Sequence, residues 1–215
     1  MPEIRILDNQ TESVQYLASK DKRLAKAMKL VGTITYQPYY EPFSFIVHEI
    51  IEQMLSIKVG TKIYSRLEEL CGGDITPERI NSVTEEAIRG TGTSLRKAKN
   101  IKALAETLIE GTLSFEAFKD MSDAEIIKEL SKLPGIGVWT AKMYLIFVLD
   151  RQDVLPYEDS AFLQSYQWLY KTNELSPEAV KKKCKKWKPY ASVAARFLYK
   201  ALDYGITKKE FHLFK

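Results

Sequence analysis

The stretch "LPGIGVWTA", residues 133 to 141, constrains this chain more than any other, because it reads as a tight hairpin between two helices. Helical patterns flank it, one predicted from about Asp123 to Ser131 and the other from near Val138 to Leu149. Between them Pro134 has no N–H to donate, and Gly135 and Gly137 accept backbone angles that other residues resist. Such a hairpin turns backbone N–H groups and the start of the second helix outward. A helix start lacks intrahelical partners for its first N–H groups and carries partial positive charge, so it suits an anion such as phosphate. A lone Gly-x-Gly would say little. Leu-Pro-Gly-x-Gly between two helices, with Thr140-Ala141 close behind, is far more specific.

Helical spacing continues along the chain. In "FSFIVHEIIEQMLS", Ile46, Val47, Ile50, Ile51, Met54 and Leu55 recur at helical intervals. A further helix is predicted from about Thr61 to Leu70, stopped by Gly72-Gly73. Thr76-Pro77 and Ser176-Pro177 each set a proline in a first helical turn. Ser82 with Glu85, and Ser122 with Glu125, have capping-box spacing. Ser94 opens a helix that runs to Gly111. "IRIL" and "TITY" carry strand character but are too short to build a sheet. The expectation is an all-α fold of about ten helices without internal repeats.

Composition narrows the class. The 215 residues suffice for one substantial domain or two lobes, and 45% hydrophobic with 28% charged residues describes an ordinary soluble protein. No run approaches the ~20 apolar residues of a membrane helix. "MPEIRILDNQTES" has no apolar core, so no secretory signal is expected. Cys71 and Cys184 lie far apart without a CxxC pair, which excludes an all-cysteine zinc site or iron–sulfur cluster within the chain and suits a reducing compartment. His48 and His212 show no ligand spacing. The net charge of +4 is uneven: residues 171 to 215 hold 12 basic and 4 acidic side chains. Most of that excess is "KKKCKKWK", residues 181 to 188. Two readings of it stand open, a solvated helix face and a surface that follows a phosphate backbone.

The hairpin resembles that of the helix-hairpin-helix DNA base-excision glycosylases, a superfamily defined by this hairpin followed by a Gly/Pro-rich loop and an aspartate. "RQDVLPYEDSAFLQ" supplies the loop, with Pro156 and then Asp159. Upstream, "IIEQMLSIKVGTKIYSRL" is similar to the family's Gln-Gln-x-Ser-x-Lys-Ala-Ala helix pair, and "GTSLRKAKNIKALA" to its Gly-x-Ser-x-x-Lys-Ala segment. "WKPYASVAARFLY" is similar to its C-terminal Trp-x-Pro-Tyr-Arg-Ser helix. The match runs in order from about residue 17 to 210 and is strongest to the 3-methyladenine DNA glycosylase II branch. It implies two helical lobes flanking a catalytic cleft, residues 41–150 forming the central lobe with the hairpin and 1–40 plus 151–215 the second.

The resemblance also implies roles. Asp159 aligns with the catalytic aspartate, while its local reading is a helix N-cap; the two are compatible, since a helix start stabilises an ionised carboxylate. Glu158 is the neighbouring acid. Trp139 stands where members that also cut the strand carry a nucleophilic lysine, so the expected enzyme is monofunctional, releasing a base and leaving an abasic site. Lys142, almost a helical turn further on, reads as solvated or phosphate-facing. Trp139 and Tyr190 match aromatic walls of a pocket for a flipped base, with core packing as the other reading of each. Gln53, Met54, Ser56 and Lys58, together with Pro134, Gly135, Ile136, Gly137 and Thr140, are the implied DNA-binding residues. Met54 aligns with a residue that fills the gap left by the flipped base, and its rival reading is the core stripe above. Met54 replaces a second glutamine of the family and Ala191 replaces a common arginine.

Backbone carbonyls of Ser131, Leu133 and Ile136 are implied to hold a monovalent cation, sodium or potassium, with no other cofactor required and no iron–sulfur cluster. The implied partner is double-stranded DNA bearing a damaged base, with no membrane association, a monomeric state and a DNA-associated intracellular location. Two alternatives stay open from the residues alone. One is the same fold acting on hypoxanthine, uracil, mismatched thymine or 8-oxoguanine. The other is a non-catalytic helix-hairpin-helix module that only grips DNA.

Overall fold

The computed structural model describes residues 3–213. Among these the elements run β1 (Arg5–Leu7), α1 (Glu12–Lys20), α2 (Lys22–Val31), β2 (Ile34–Tyr36), α3 (Pro42–Glu52), α4 (Ile57–Leu70), α5 (Pro77–Ser82) and α6 (Glu85–Gly90). They continue with α7 (Leu95–Ile109), α8 (Asp123–Leu130), α9 (Val138–Phe147), α10 (Ser160–Tyr170), α11 (Pro177–Cys184) and α12 (Ala191–Asp203). The chain separates into two compact units, one of residues 39–149 and one of residues 1–38 with 150–215.

In the unit of residues 39–149, α3 and α9 are the buried centre. Proline at the first turn starts α3, and Phe43, Phe45, Ile46, Val47, Ile50 and Ile51 all leave solvent. In α9 every residue from Thr140 to Ile146 is buried, so this part of the helix is enclosed around its whole circumference rather than along one stripe. α4, α7 and α9 pack on α3, α8 packs on α9, and α5 and α6 lie against α7. Ser122 and Glu125 form the predicted capping box at α8, and Ser94 caps α7 through the Lys97 N–H.

The other unit is built round α12, which buries nine residues from Ala191 to Ala201 and packs against α1, α2 and α10. Trp187, Phe162 and Phe197 fill the space between these helices, each worth roughly 1.5–3 kcal/mol when fully buried.

Three expectations change. "IRIL" and "TITY" do pair, as a two-stranded antiparallel ladder with Arg5 opposite Tyr36 and Leu7 opposite Ile34. The packed α1–α2 hairpin brings their ends together, so tertiary context supplies what three residues of propensity lack. Ser82 does not cap α6: its hydroxyl donates to the Arg79 carbonyl at the end of α5, and Thr84 caps α6 by accepting from the Ala87 N–H. Finally, the apolar stripe of α3 ends at Glu52, and α4 begins at Ile57 rather than Thr61. Met54 and Leu55 therefore fall in an exposed turn and outside the core.

Candidate active site

The hairpin joins α8 to α9 as the sequence requires. Leu133 accepts from the Ile136 N–H at 3.2 Å, Gly135 adopts φ +82°, and Gly137 is the N-cap of α9. Having no side chain, Gly137 cannot cap the first turn, and no atom lies within 4 Å of where its Cβ would be. Gly135 is different: a Cβ there would meet the Asn100 side chain of α7. Pro134, Gly137 and Ser131 are exposed, whereas the Ile136 and Thr140 side chains are buried. The Ile136 and Thr140 side chains therefore take no part in the exposed surface of the hairpin.

Gln53 buttresses the hairpin from the α3–α4 turn. Its side-chain amide donates to the Gly135 carbonyl at 2.9 Å and to the Thr140 hydroxyl at 3.4 Å. The adjoining Met54 is fully exposed in a left-handed conformation, φ +61°, which a non-glycine residue rarely adopts. Ser56 and Lys58 are exposed beside it. Of the two readings of Met54, the core stripe is excluded.

Trp139 lies in the first turn of α9 and is half-buried. Lys142, expected to be solvated or phosphate-facing, is only 7% exposed. Every residue of α9 from Thr140 to Ile146 is buried, so this position has no solvated face.

In the other unit Asp159 is the N-cap of α10, 8% exposed, with Oδ1 accepting from the Phe162 N–H at 2.7 Å. Its loop is pinned to the start of α12. The Val154 N–H donates to the Ser192 hydroxyl at 2.9 Å, the Ser192 N–H donates to the Gln152 carbonyl at 2.9 Å, and the Ala191 N–H reaches Asp153 at 3.4 Å. The loop begins at Asp150, itself left-handed, which accepts from the Tyr36 hydroxyl and from Arg196 at 2.9 and 3.1 Å. The Arg196 guanidinium also stacks on Tyr36, 3.9 Å from the ring centre. Tyr190 is the residue before α12, half-buried and edge-on to Tyr16 at 5.4 Å.

Part of the lysine run is tied to the protein itself, an outcome that neither open reading of it named. Lys186 pairs with the buried Asp21 at 2.9 Å, and Lys188 lies 3.6 Å from Asp153. Lys181 lies 4.1 Å from the Tyr157 ring centre, two residues before Asp159. Lys182 and Lys185 are exposed. Sequence reasoning gave no role to Lys97, the lysine of the Gly-x-Ser-x-x-Lys-Ala segment, and missed Asn100, Asp153 and Ser192, all of whose partners lie on other elements. The Lys97 ammonium donates to carbonyls 46 and 44 residues away in the chain, for which no local pattern exists.

No group of three His, Cys, Asp or Glu among the described residues could hold a metal ion, and no helix among them is long and apolar enough to cross a membrane.

Residues 47–189 match the model of the HhH-GPD superfamily base excision DNA repair proteins. DNA-3-methyladenine glycosylase 1 of Schizosaccharomyces pombe is 30% identical over 204 residues, covering 91% of this chain and 89% of the relative. A crystal structure of a DNA-3-methyladenine glycosidase from Bacillus halodurans superposes with a TM-score of 0.84 at 32% identity, covering 97% of both chains. A 3-methyladenine DNA glycosylase from S. pombe in complex with abasic DNA superposes with a TM-score of 0.80 at 29% identity, covering 90% of this chain and 97% of that one.

Proposed function

The chain belongs to the HhH-GPD superfamily of base excision DNA repair proteins, and from that premise we propose that it is a monofunctional DNA glycosylase for alkylated bases. Its substrate is double-stranded DNA bearing a base of the 3-methyladenine or 7-methylguanine type, and its products are the free base and an abasic site. One observation carries the reading: Asp159, after the hairpin in sequence, is a buried carboxylate at a helix start, its Oδ1 fixed by the Phe162 N–H.

The reaction is hydrolysis of the bond between deoxyribose C1′ and the base nitrogen. As the base departs with the bonding pair, positive charge builds on the sugar, as in glycoside hydrolysis. A base alkylated at N3 or N7 begins cationic and leaves neutral, so no general acid is needed. The Asp159 carboxylate stabilises the charge at C1′, and water adds there and gives up a proton. The damaged nucleotide must first leave the stack. Trp139 and Tyr190 then offer aromatic faces, worth roughly 1–3 kcal/mol per stacked base and attractive to a cationic one. Met54 fills the vacated gap, and the hairpin N–H groups take a backbone phosphate. With tryptophan at 139 and Lys142 buried, this part of α9 offers no amine to form a Schiff base with the sugar.

A monovalent cation at the hairpin would be held by the carbonyls of Ser131, Leu133 and Ile136. They are hard neutral oxygens, and the single Ile136 N–H that Leu133 accepts leaves it a second lone pair. When bound, the ion supplies positive charge for a DNA phosphate. The protein acts as a monomer on chromosomal DNA.

The test is release of free base from oligonucleotides that each carry one defined lesion, with alkali added afterwards to reveal abasic sites. Release from alkylated sites with strands intact before alkali is the expected result. Cutting without alkali contradicts the Trp139 assignment, and absence of release from every alkylated base contradicts the function.

A further inference from the structure

We propose that Lys97 is the positioning residue for the wedge, so that a lysine of α7 decides whether Met54 stands out from the protein ready to enter the duplex. The inference rests on the glycosylase reading above, and every contact it uses lies within residues 39–149.

A non-glycine residue held at φ +61° with its whole side chain in water has no packing of its own to keep it there. The neighbouring backbone must supply the restraint. On one side the half-buried Lys97 ammonium donates to the Ile51 carbonyl at 2.8 Å and to the Gln53 carbonyl at 2.7 Å. The first is a carbonyl of the last turn of α3, which lacks an intrahelical donor and bears partial negative charge; the second directly precedes Met54. On the other side the Gln53 side chain is tied to the Gly135 carbonyl of the hairpin at 2.9 Å.

α7 completes the link. Asn100, one helical turn beyond Lys97, packs so closely on Gly135 that a Cβ on that glycine would come 2.2 Å from its Nδ2. Two side chains of one face of α7 thus brace both the wedge turn and the hairpin, which fixes Met54 relative to the phosphate-binding turn. Burial lowers the affinity of Lys97 for its proton, yet two carbonyl acceptors at short range favour the charged form.

The test uses the full chain and one 7-methylguanine, placed either in a duplex or in the same strand alone. A wedge fills a gap that exists only in the duplex, so a positioning role separates the two substrates whereas general damage to the fold does not. Lys97→Met keeps the aliphatic stem and removes the donors. It is expected to lower base release from the duplex at least tenfold while leaving release from the single strand within twofold of the parent. Lys97→Arg, which can still reach both carbonyls, is expected to restore duplex release to within threefold. Should Lys97→Met not fold, Lys97→Gln, with one donor group left, is expected to show a smaller loss confined to the duplex. Equal loss on both substrates, or duplex release within twofold of the parent, overturns the proposal. If the parent protein releases no base from the duplex, the glycosylase reading fails instead; if it acts on the duplex alone, recovery of duplex release by Lys97→Arg decides, and failure to recover overturns the proposal.

Discussion

The two hairpin glycines look equivalent in "PGIG", but the structure assigns them opposite sensitivities. At Gly135, φ is +82°, and an added Cβ would lie 2.2 Å from Nδ2, 2.8 Å from Cγ and 3.0 Å from Cβ of Asn100. The left-handed conformation costs an L-residue about 1–2 kcal/mol. Displacing Asn100, whose Cβ is itself too close, adds about 1–3 kcal/mol of overpacking. Gly135→Ala should therefore lose about 2–5 kcal/mol, at about 2–4 °C of melting temperature per kcal/mol for a chain of this size. Gly137 sits at φ −99°, ψ 178° with nothing within 4 Å, so Gly137→Ala costs less than about 1 kcal/mol as an N-cap change. Its methyl group, however, stands where a phosphate would approach the start of α9. It should weaken binding to an abasic-site duplex at least tenfold, about 1.4 kcal/mol. Urea unfolding measures the first effect and fluorescence anisotropy at fixed salt the second. Adding Asn100→Ala to Gly135→Ala should recover the crowding part of the loss but not the conformational part. A stable Gly135→Ala protein, or a Gly137→Ala protein that binds DNA like the parent, refutes the reasoning for that glycine.

Asp159→Asn should bind abasic DNA within threefold of the parent and lose at least about 100-fold in base release; near-normal release in a single-turnover assay sinks the catalytic assignment. Trp139→Ala should lower kcat/KM by about 5- to 150-fold, the equivalent of 1–3 kcal/mol of stacking, without any strand cutting before alkali; an unchanged kcat/KM would make Trp139 a packing residue. Burial alone would raise the Asp21 carboxyl, but bonds from Tyr170, Lys186, Trp187 and the Leu24 N–H outweigh it and hold it below the usual carboxylate range. A depressed folded value lends stability above the unfolded value of about 3.9 that is lost as pH falls through the folded one, so Asp21→Asn should cost about 2–3 kcal/mol at neutral pH and less in acid, and urea midpoints showing equal cost at pH 7 and pH 3 would contradict this.

What the sequence disclosed depended on how local each physical signal was. The turn at 133–137, the capping box at Ser122 and the cap at Asp159 use residues within a few positions of one another, and each could be read from the chain alone. The end of α3 could not, because Met54 and Leu55 continue the apolar spacing and nothing local breaks it. At that end the Lys97 ammonium, from another element, donates to the Ile51 and Gln53 carbonyls, a contact that no local pattern announces. Lys142 misled for the same reason: a lysine reads as solvated unless its helix is enclosed, and the enclosure of α9 is a property of its neighbours. The lysine run was ambiguous because the acid that claims Lys186, Asp21, lies 165 residues away in sequence.

Asp159 tests whether a cap and a catalyst compete for one carboxylate. A carboxylate has two oxygens and about four acceptor directions, and the Phe162 N–H takes one of them. That bond also restricts the side-chain torsions, which in the proposed reaction leaves less ordering to be lost as the sugar cation forms. The restraint extends outward, since Val154 is held by Ser192 and Ala191 by Asp153, at the very helix start that carries Tyr190. The proposed catalytic carboxylate and an aromatic face for the flipped base are thereby mounted on one braced segment. A substitution at Ser192, which has no role at C1′, should accordingly disturb catalysis through the geometry of residues 152–159. Ser192→Ala removes the hydroxyl that the Val154 N–H donates to, leaving a buried donor unpaired at about 1–3 kcal/mol. The matching expectation is a lower kcat with KM little changed, and a proportional rise in KM alone would show that the brace serves binding instead.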